Sequence, residues 1–108
     1  MSSLREKKRY VVFEIIGEKI SYVDAKKTIT DSFKELFGLD GLAKAGLNFV
    51  EYEDNKGIIR VSNKCLDLLK GSFCYVRKIN KGDVIVRSLG VSGILKKAKF
   101  KFIIGGGN

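Results

Sequence analysis

The eight residues Arg9–Ile16, RYVVFEII, place apolar side chains at both parities of an extended chain. Val11, Phe13 and Ile15 share one side, and Tyr10, Val12, Glu14 and Ile16 share the other. Successive side chains of a strand point to opposite faces, so the segment reads as a strand buried on one face and partly covered on the second. Such a strand has to sit inside a sheet with at least one layer packed over it, and the remaining segments supply that layer.

Ser21 and Asp24 form an S-x-x-D capping signal, and Tyr22, Ala25, Ile29, Phe33, Leu36 and Phe37 recur at helical spacing, which predicts a helix of about four turns. Gly38 reads as its stop, and residues 38–46, GLDGLAKAG, as a glycine-punctuated connector with one helical turn. Leu47–Glu53 and Gly57–Ser62 are β-rich runs separated by Asp54, Asn55 and Lys56, a hairpin spacing. Asn63 can cap a short helix holding Cys65, Leu66, Leu68 and Leu69 and stopping near Gly71. Phe73–Ile79 alternates as a strand, Asn80–Asp83 makes a turn, and Asp83–Leu89 is a last strand. After Gly90, the residues Val91, Ile94, Leu95, Ala98 and Phe102 repeat at helical spacing among lysines, a short basic amphipathic helix. The order β-α-β-β-α-β, plus one strand and a terminal helix, is the split βαβ pattern of a ferredoxin-like or RRM-like two-layer α+β sandwich, with helices on one face of an antiparallel sheet. Length fits one domain over residues 1–108, with 1–8 and 105–108 expected to be flexible.

Charge is unevenly distributed. Lys and Arg number 21 against 12 acids. Residues 1–9 carry four bases and one acid, residues 70–102 carry nine bases and only Asp83, and the middle of the chain is near neutral. Cations concentrated in this way are the footprint of a polyanion, because each one set against a phosphate releases condensed counterions. The candidate contacts are Arg5, Lys7, Lys8 and Arg9 before the first strand, Lys44 in the connector, Arg77, Lys78 and Lys81 around the late turn, Arg87 on the last strand, and Lys96, Lys97, Lys99 and Lys101 on the terminal helix. A solvated surface is the ordinary alternative for any one of them. No apolar run approaches the roughly 18 residues of a membrane span and no secretory signal is visible, so the expected location is the cytoplasm.

The chain has no histidine, which removes the commonest general base and metal ligand and every Ser-His or Cys-His nucleophile. Cys65 and Cys74 stand alone, without the second pair of a zinc site or disulfide framework. Glu51, Glu53 and Asp54 form the one acidic cluster, and it reads as a solvated strand end. No catalytic or metal-ligating residue and no cofactor is expected. The third strand, KGIIRVS, has Ile58, Ile59 and Val61 where an RRM would present stacking rings, so RNA would be met through phosphates and shape. Phe100, Phe102, Ile103 and Ile104 make the end of the last helix more apolar than a small core requires, and a protein partner is one explanation. A ligand-binding regulatory domain and a hydrolase remain alternatives on residues alone.

Three ordered pieces, FGLDGLAKAGL at Phe37–Leu47, GIIR at Gly57–Arg60 and LGVSGILK at Leu89–Lys96, resemble the ribonuclease P protein component 2 family of archaea, which has a related subunit in eukaryotes. The similarity extends over nearly the whole chain. It implies a non-catalytic RNA-binding subunit of a tRNA 5′-endoribonuclease whose RNA and bound Mg2+ carry the chemistry. Its implied partners are the ribonuclease P RNA, a barrel-shaped protein subunit, other holoenzyme proteins, and precursor tRNA as substrate. Family motif positions are Gly41, Leu42, Ala43, Lys44, Gly46, Gly57, Arg60, Gly90, Ser92 and Gly93, and of these Lys44 and Arg60 are the implied RNA contacts.

Overall fold

The computed structural model describes residues 7–105. Arg5, the side chains of Ile103 and Ile104, and the tail beyond Gly105 lie outside the described residues. Strand β1 (Lys8–Ile16) is followed by α1 (Tyr22–Ala45), β2 (Asn48–Glu53) and β3 (Lys56–Ser62). A 3₁₀ turn, Asn63–Cys65, leads into α2 (Leu66–Phe73), and the chain ends with β4 (Lys78–Ile79), β5 (Gly82–Asp83), β6 (Ile85–Ser92) and α3 (Leu95–Gly105). Four strands form one antiparallel sheet in the order β2-β3-β1-β6, and β4 and β5 pair separately as a small hairpin.

This is the expected sandwich, with one more layer. Val11, Phe13 and Ile15 of β1 pack with Ile59 and Val61 of β3 against Ala25, Ile29 and Phe33 of α1 and Leu69 and Phe73 of α2. The other face of the sheet is covered too: Val12 and Ile58 are fully buried beneath Ala98 of α3, with Tyr10, Leu89, Leu95 and Phe102 around them. The helices therefore do not all lie on one face, because the second parity of β1 is apolar and has to be taken from water. Gly57 is where β3 passes under the core. A Cβ there would meet the Phe13 ring at 2.7 Å and the Glu51 carbonyl at 2.8 Å. Lys8, expected to be flexible, is already paired with Ser62.

Three local expectations change. Gly38 leaves helical geometry at φ 77° and ψ 178°, a combination essentially reserved for glycine, but the helix resumes beyond it and continues to Ala45. The segment expected as a connector is thus helical, and it carries Leu42 into the core and buries Ala45 completely. Of Phe73–Ile79 only Lys78–Ile79 is strand; Phe73 ends α2 and the residues between are turn and coil. Phe73, Val76 and Ile79 are buried at intervals of three residues, and Cys74, Tyr75 and Val76 donate to the carbonyls of Gly71, Ser72 and Phe73 in successive turns. Strand β6 runs on to Ser92, opposite Tyr10, so Val91 belongs to the sheet and α3 starts at Leu95. A bulge lies opposite Val12 and Phe13, where Gly90 pairs with Val12 and Ser88 with Phe13, leaving Leu89 as the extra residue.

The β2–β3 turn holds positive φ at both Asp54 (51°) and Asn55 (64°), the pattern of a two-residue type I′ hairpin. Asn55 also ties the β1–α1 loop down. Its Oδ1 accepts from the Ile20 N–H at 2.7 Å, and its Nδ2 donates to the carbonyls of Glu18 at 2.8 Å and Ile15 at 3.1 Å. The Tyr52 hydroxyl donates to the Ile20 carbonyl at 2.7 Å. Replacing Asn55 by Ala removes three bonds and leaves partly buried backbone groups unpaired. It should cost about 1–3 kcal/mol in urea denaturation, with the slope of the transition unchanged.

Burial, and then the negative charge of Asp54, push the Tyr52 hydroxyl from 10.0 up to about 12. The folded state holds this proton more tightly than the unfolded chain, so the associated stability is intact below the unfolded value and lost as pH rises toward the folded one. Tyr52→Phe should therefore flatten the fall in stability between about pH 10 and about pH 12, as measured by denaturant midpoints across that range.

Candidate nucleic-acid interface

Antiparallel register decides which of the scattered cations share a location. Lys8 lies opposite Ser62, Tyr10 opposite both Arg60 and Ser92, and Asn48 opposite Arg60, so these residues form one end of the sheet. The Asn63 N–H donates to the Lys7 carbonyl at 2.8 Å, which brings the 3₁₀ turn and its exposed Lys64 to the same end. Gly46 caps α1 there. A Cβ on Gly46 would stand 3.8 Å from Lys8 Nζ, which places Lys44, two residues earlier, in this neighbourhood. Arg9 completes the group, its guanidinium 3.2 Å from the Cβ position of Gly93 just ahead of α3. Lys7, Lys8, Arg9, Lys44, Arg60 and Lys64 thus gather from four separate stretches of sequence.

Within this group Arg60 stands out. It lies on the face of β3 shared with Ile58, its side chain is half-buried, and its Nε is buried with no hydrogen-bond partner among the described residues. A buried charged donor left unpaired is costly, and a phosphate or base acceptor brought to this end of the sheet would relieve the cost. Lys64 was not among the sequence candidates. It sits in the near-neutral middle of the chain, where local charge counting gives no signal, and only the pairing of Lys8 with Ser62 reveals its location.

The other candidates are placed differently. Arg77, Lys78 and Lys81 belong to the β4–β5 region at the opposite end of the sheet, where Gly17 packs against Val84. Lys78 Nζ is 2.8 Å from Asp83, and Arg77 and Lys78 line a groove of about 420 Å³ together with Asp31 and Glu35, so acids offset their field. Arg87 Nε donates to Glu14 Oε2 at 2.6 Å across β1 and β6. On α3, Lys99 faces Glu51 at 3.4 Å and the stem of Lys101 runs over Gly90, whereas Lys96 and Lys97 are exposed without an acidic partner among the described residues. Phe102, a candidate partner residue, contributes part of its ring to the second core. It is half-buried with Val12, Ile58 and Ala98, its ring lies 5.3 Å from Lys56 Nζ, and its carbonyl accepts from the same ammonium at 2.9 Å. Phe100 points away and is 65% exposed.

A ferredoxin-like sandwich with both sheet faces closed and cations collected at one end defines a small basic α+β module. The chain belongs to the Rpp14/Pop5 family, whose sequence profile matches residues 9–103. Proteins named Ribonuclease P protein component 2 are similar along most of its length. That of Thermococcus gammatolerans is 38% identical over 104 residues, covering 94% of this chain and 87% of the relative. Those of Methanocaldococcus jannaschii and Archaeoglobus fulgidus are 35% and 32% identical over 102 residues, each covering 94% of this chain and 76% and 93% of the relative. In fold, the chain is similar to one in the cryo-EM structure of yeast Ribonuclease MRP, with a TM-score of 0.71 and 17% identity over 84% of this chain and 77% of that one.

The division of the cations into free and paired sets has a direct consequence. Replacing Lys8 and Lys64 by Ala should lower the salt concentration that elutes the protein from a heparin column more than replacing Lys78 and Arg87, because only the first pair lacks an acidic partner among the described residues.

Proposed function

We propose that this chain is a protein subunit of ribonuclease P that binds the enzyme's RNA and supports RNA-catalysed 5′ maturation of precursor tRNA. The observation that carries the reading is the gathering of six cations at one end of a family-typical sandwich, with Arg60 Nε buried and unpaired among them. Lys7, Lys8, Arg9, Lys44 and Lys64 are the phosphate contacts in this reading, and Arg60 is the directional one. Their work is electrostatic. Cations held against the RNA backbone let two negatively charged RNAs approach at lower salt, and the release of counterions condensed on the free RNA favours the contact. The Mg2+ of the reaction is carried by the RNA, and among the described residues no group of His, Cys, Asp or Glu could hold a metal ion. A barrel-shaped subunit and other holoenzyme proteins complete the assembly, and the exposed 74–78 turn remains available to them.

Reconstitution tests this. Ribonuclease P RNA with this chain and its partner subunit should cleave a precursor tRNA at moderate magnesium, where RNA without this chain does so poorly. Arg60→Ala and Lys44→Ala should each weaken binding to the RNA and reduce the slope of log affinity against log salt by about one unit. Variants that bind and cleave like the parent protein, or a parent protein that leaves cleavage unchanged, would reject the reading.

A further inference from the structure

Phe100 is more exposed than any other aromatic side chain among the described residues, at 65%, and the fold makes no use of its ring. Ala98, fully buried, marks the side of α3 that meets the sheet, and two residues further on the helix has turned Phe100 to the opposite side. Lys96 and Lys97 lie one turn before it, both exposed and neither paired with an acid among the described residues. From Leu95 to Phe102 the helix has four lysines and no acid. The outward face is therefore an isolated ring set among uncompensated cations.

We propose that this face is a stacking site for an unpaired nucleotide of RNA, with the Phe100 ring against a base and the Lys96 and Lys97 ammonium groups on the adjoining phosphates. The inference rests on the RNA-binding reading above and names a contact that reading does not contain. Single-stranded RNA alternates planar π-faces with negative charges, and a ring flanked by cations matches both in turn. An apolar protein groove would accept the ring but would have to accommodate two unpaired ammonium groups at its edge. A duplex keeps its bases stacked internally and offers the ring nothing. The closed sheet gives the contact its importance, since Val12 and Ile58, which lie where an RRM presents its aromatics, are buried under this same helix.

Fluorescence anisotropy of the full chain with a labelled ten-nucleotide uridine strand, and with an RNA duplex of equal length, tests the site across a salt series. Phe100→Ala should weaken single-strand binding roughly five- to a hundredfold with the salt slope unchanged and duplex binding unaffected. Phe100→Trp should retain single-strand binding, and Phe100→Leu should bind no better than the alanine variant. Joint replacement of Lys96 and Lys97 by Ala should lower the slope by about two units. Single-strand binding that survives Phe100→Ala, that Phe100→Leu restores, or that falls equally for duplex overturns the stacking site. A parent protein that binds ribonuclease P RNA but ignores Phe100 leaves the subunit reading standing, whereas one that binds neither RNA removes both.

Discussion

Strand β1 is apolar at both parities, and the architecture follows from having to bury both. Val11, Val12 and Phe13 are consecutive and fully buried, which an antiparallel sheet open to water on one side cannot provide. α1 and α2 close one face and α3 closes the other. Burial of the second face is worth about 25 cal/mol for each Å² of apolar surface removed from water, and Val12, Ile58 and Ala98 contribute their whole side chains to it. Closing it removes the surface on which an RRM stacks bases. In the proposed reading, RNA is met instead at the end of the sheet and on the outside of the helix that does the closing.

A second constraint fixes the far end. The type I′ turn at Asp54 and Asn55 sets the register of β2 against β3, and the Asn55 amide then holds the β1–α1 loop through three backbone groups. The start of α1 is consequently anchored to the same turn that positions Lys56, whose ammonium group reaches the carbonyl of Phe102. Both helical layers are thus referenced to one hairpin. Polar groups that are only partly buried carry this arrangement, which is why a single amide side chain at the turn matters more than its exposure suggests.

Much of this was legible in the residue order. The two-sided character of RYVVFEII and the Ser21 cap, which accepts from the Asp24 N–H, are local signals with local causes and appear as read, whereas the hairpin turn expected over Asp54, Asn55 and Lys56 closes on Asp54 and Asn55 alone, with Lys56 already in β3. What was not legible depends on distant partners. Gly38 signals a stop, yet only the core that receives Leu42 and Ala45 makes a second helical segment worthwhile. Phe73–Ile79 looks alternating because Phe73 and Tyr75 are both aromatic, although it is the residues three apart that are buried. The basic residues of the sequence were visible as a set, but register and pairing were needed to join Lys64 to Lys8 and to set Arg87 aside with Glu14.

The bulge in β6 bears on more than local geometry. Because Leu89 has no partner on β1, the residues on its two sides are out of step: Gly90 and Arg87 both lie on the α3 side although three positions apart. Take that one residue away and the two halves of β6 join as a regular ladder, Gly90 opposite Val12 and Ser88 opposite Phe13, with Val86 and Arg87 on the faces they already occupy. The strand in effect has a reading frame, and Leu89 is a spare letter that the bulge holds outside it. A single-residue deletion elsewhere in β6 would draw Leu89 into the ladder and exchange faces only between the deletion and the bulge.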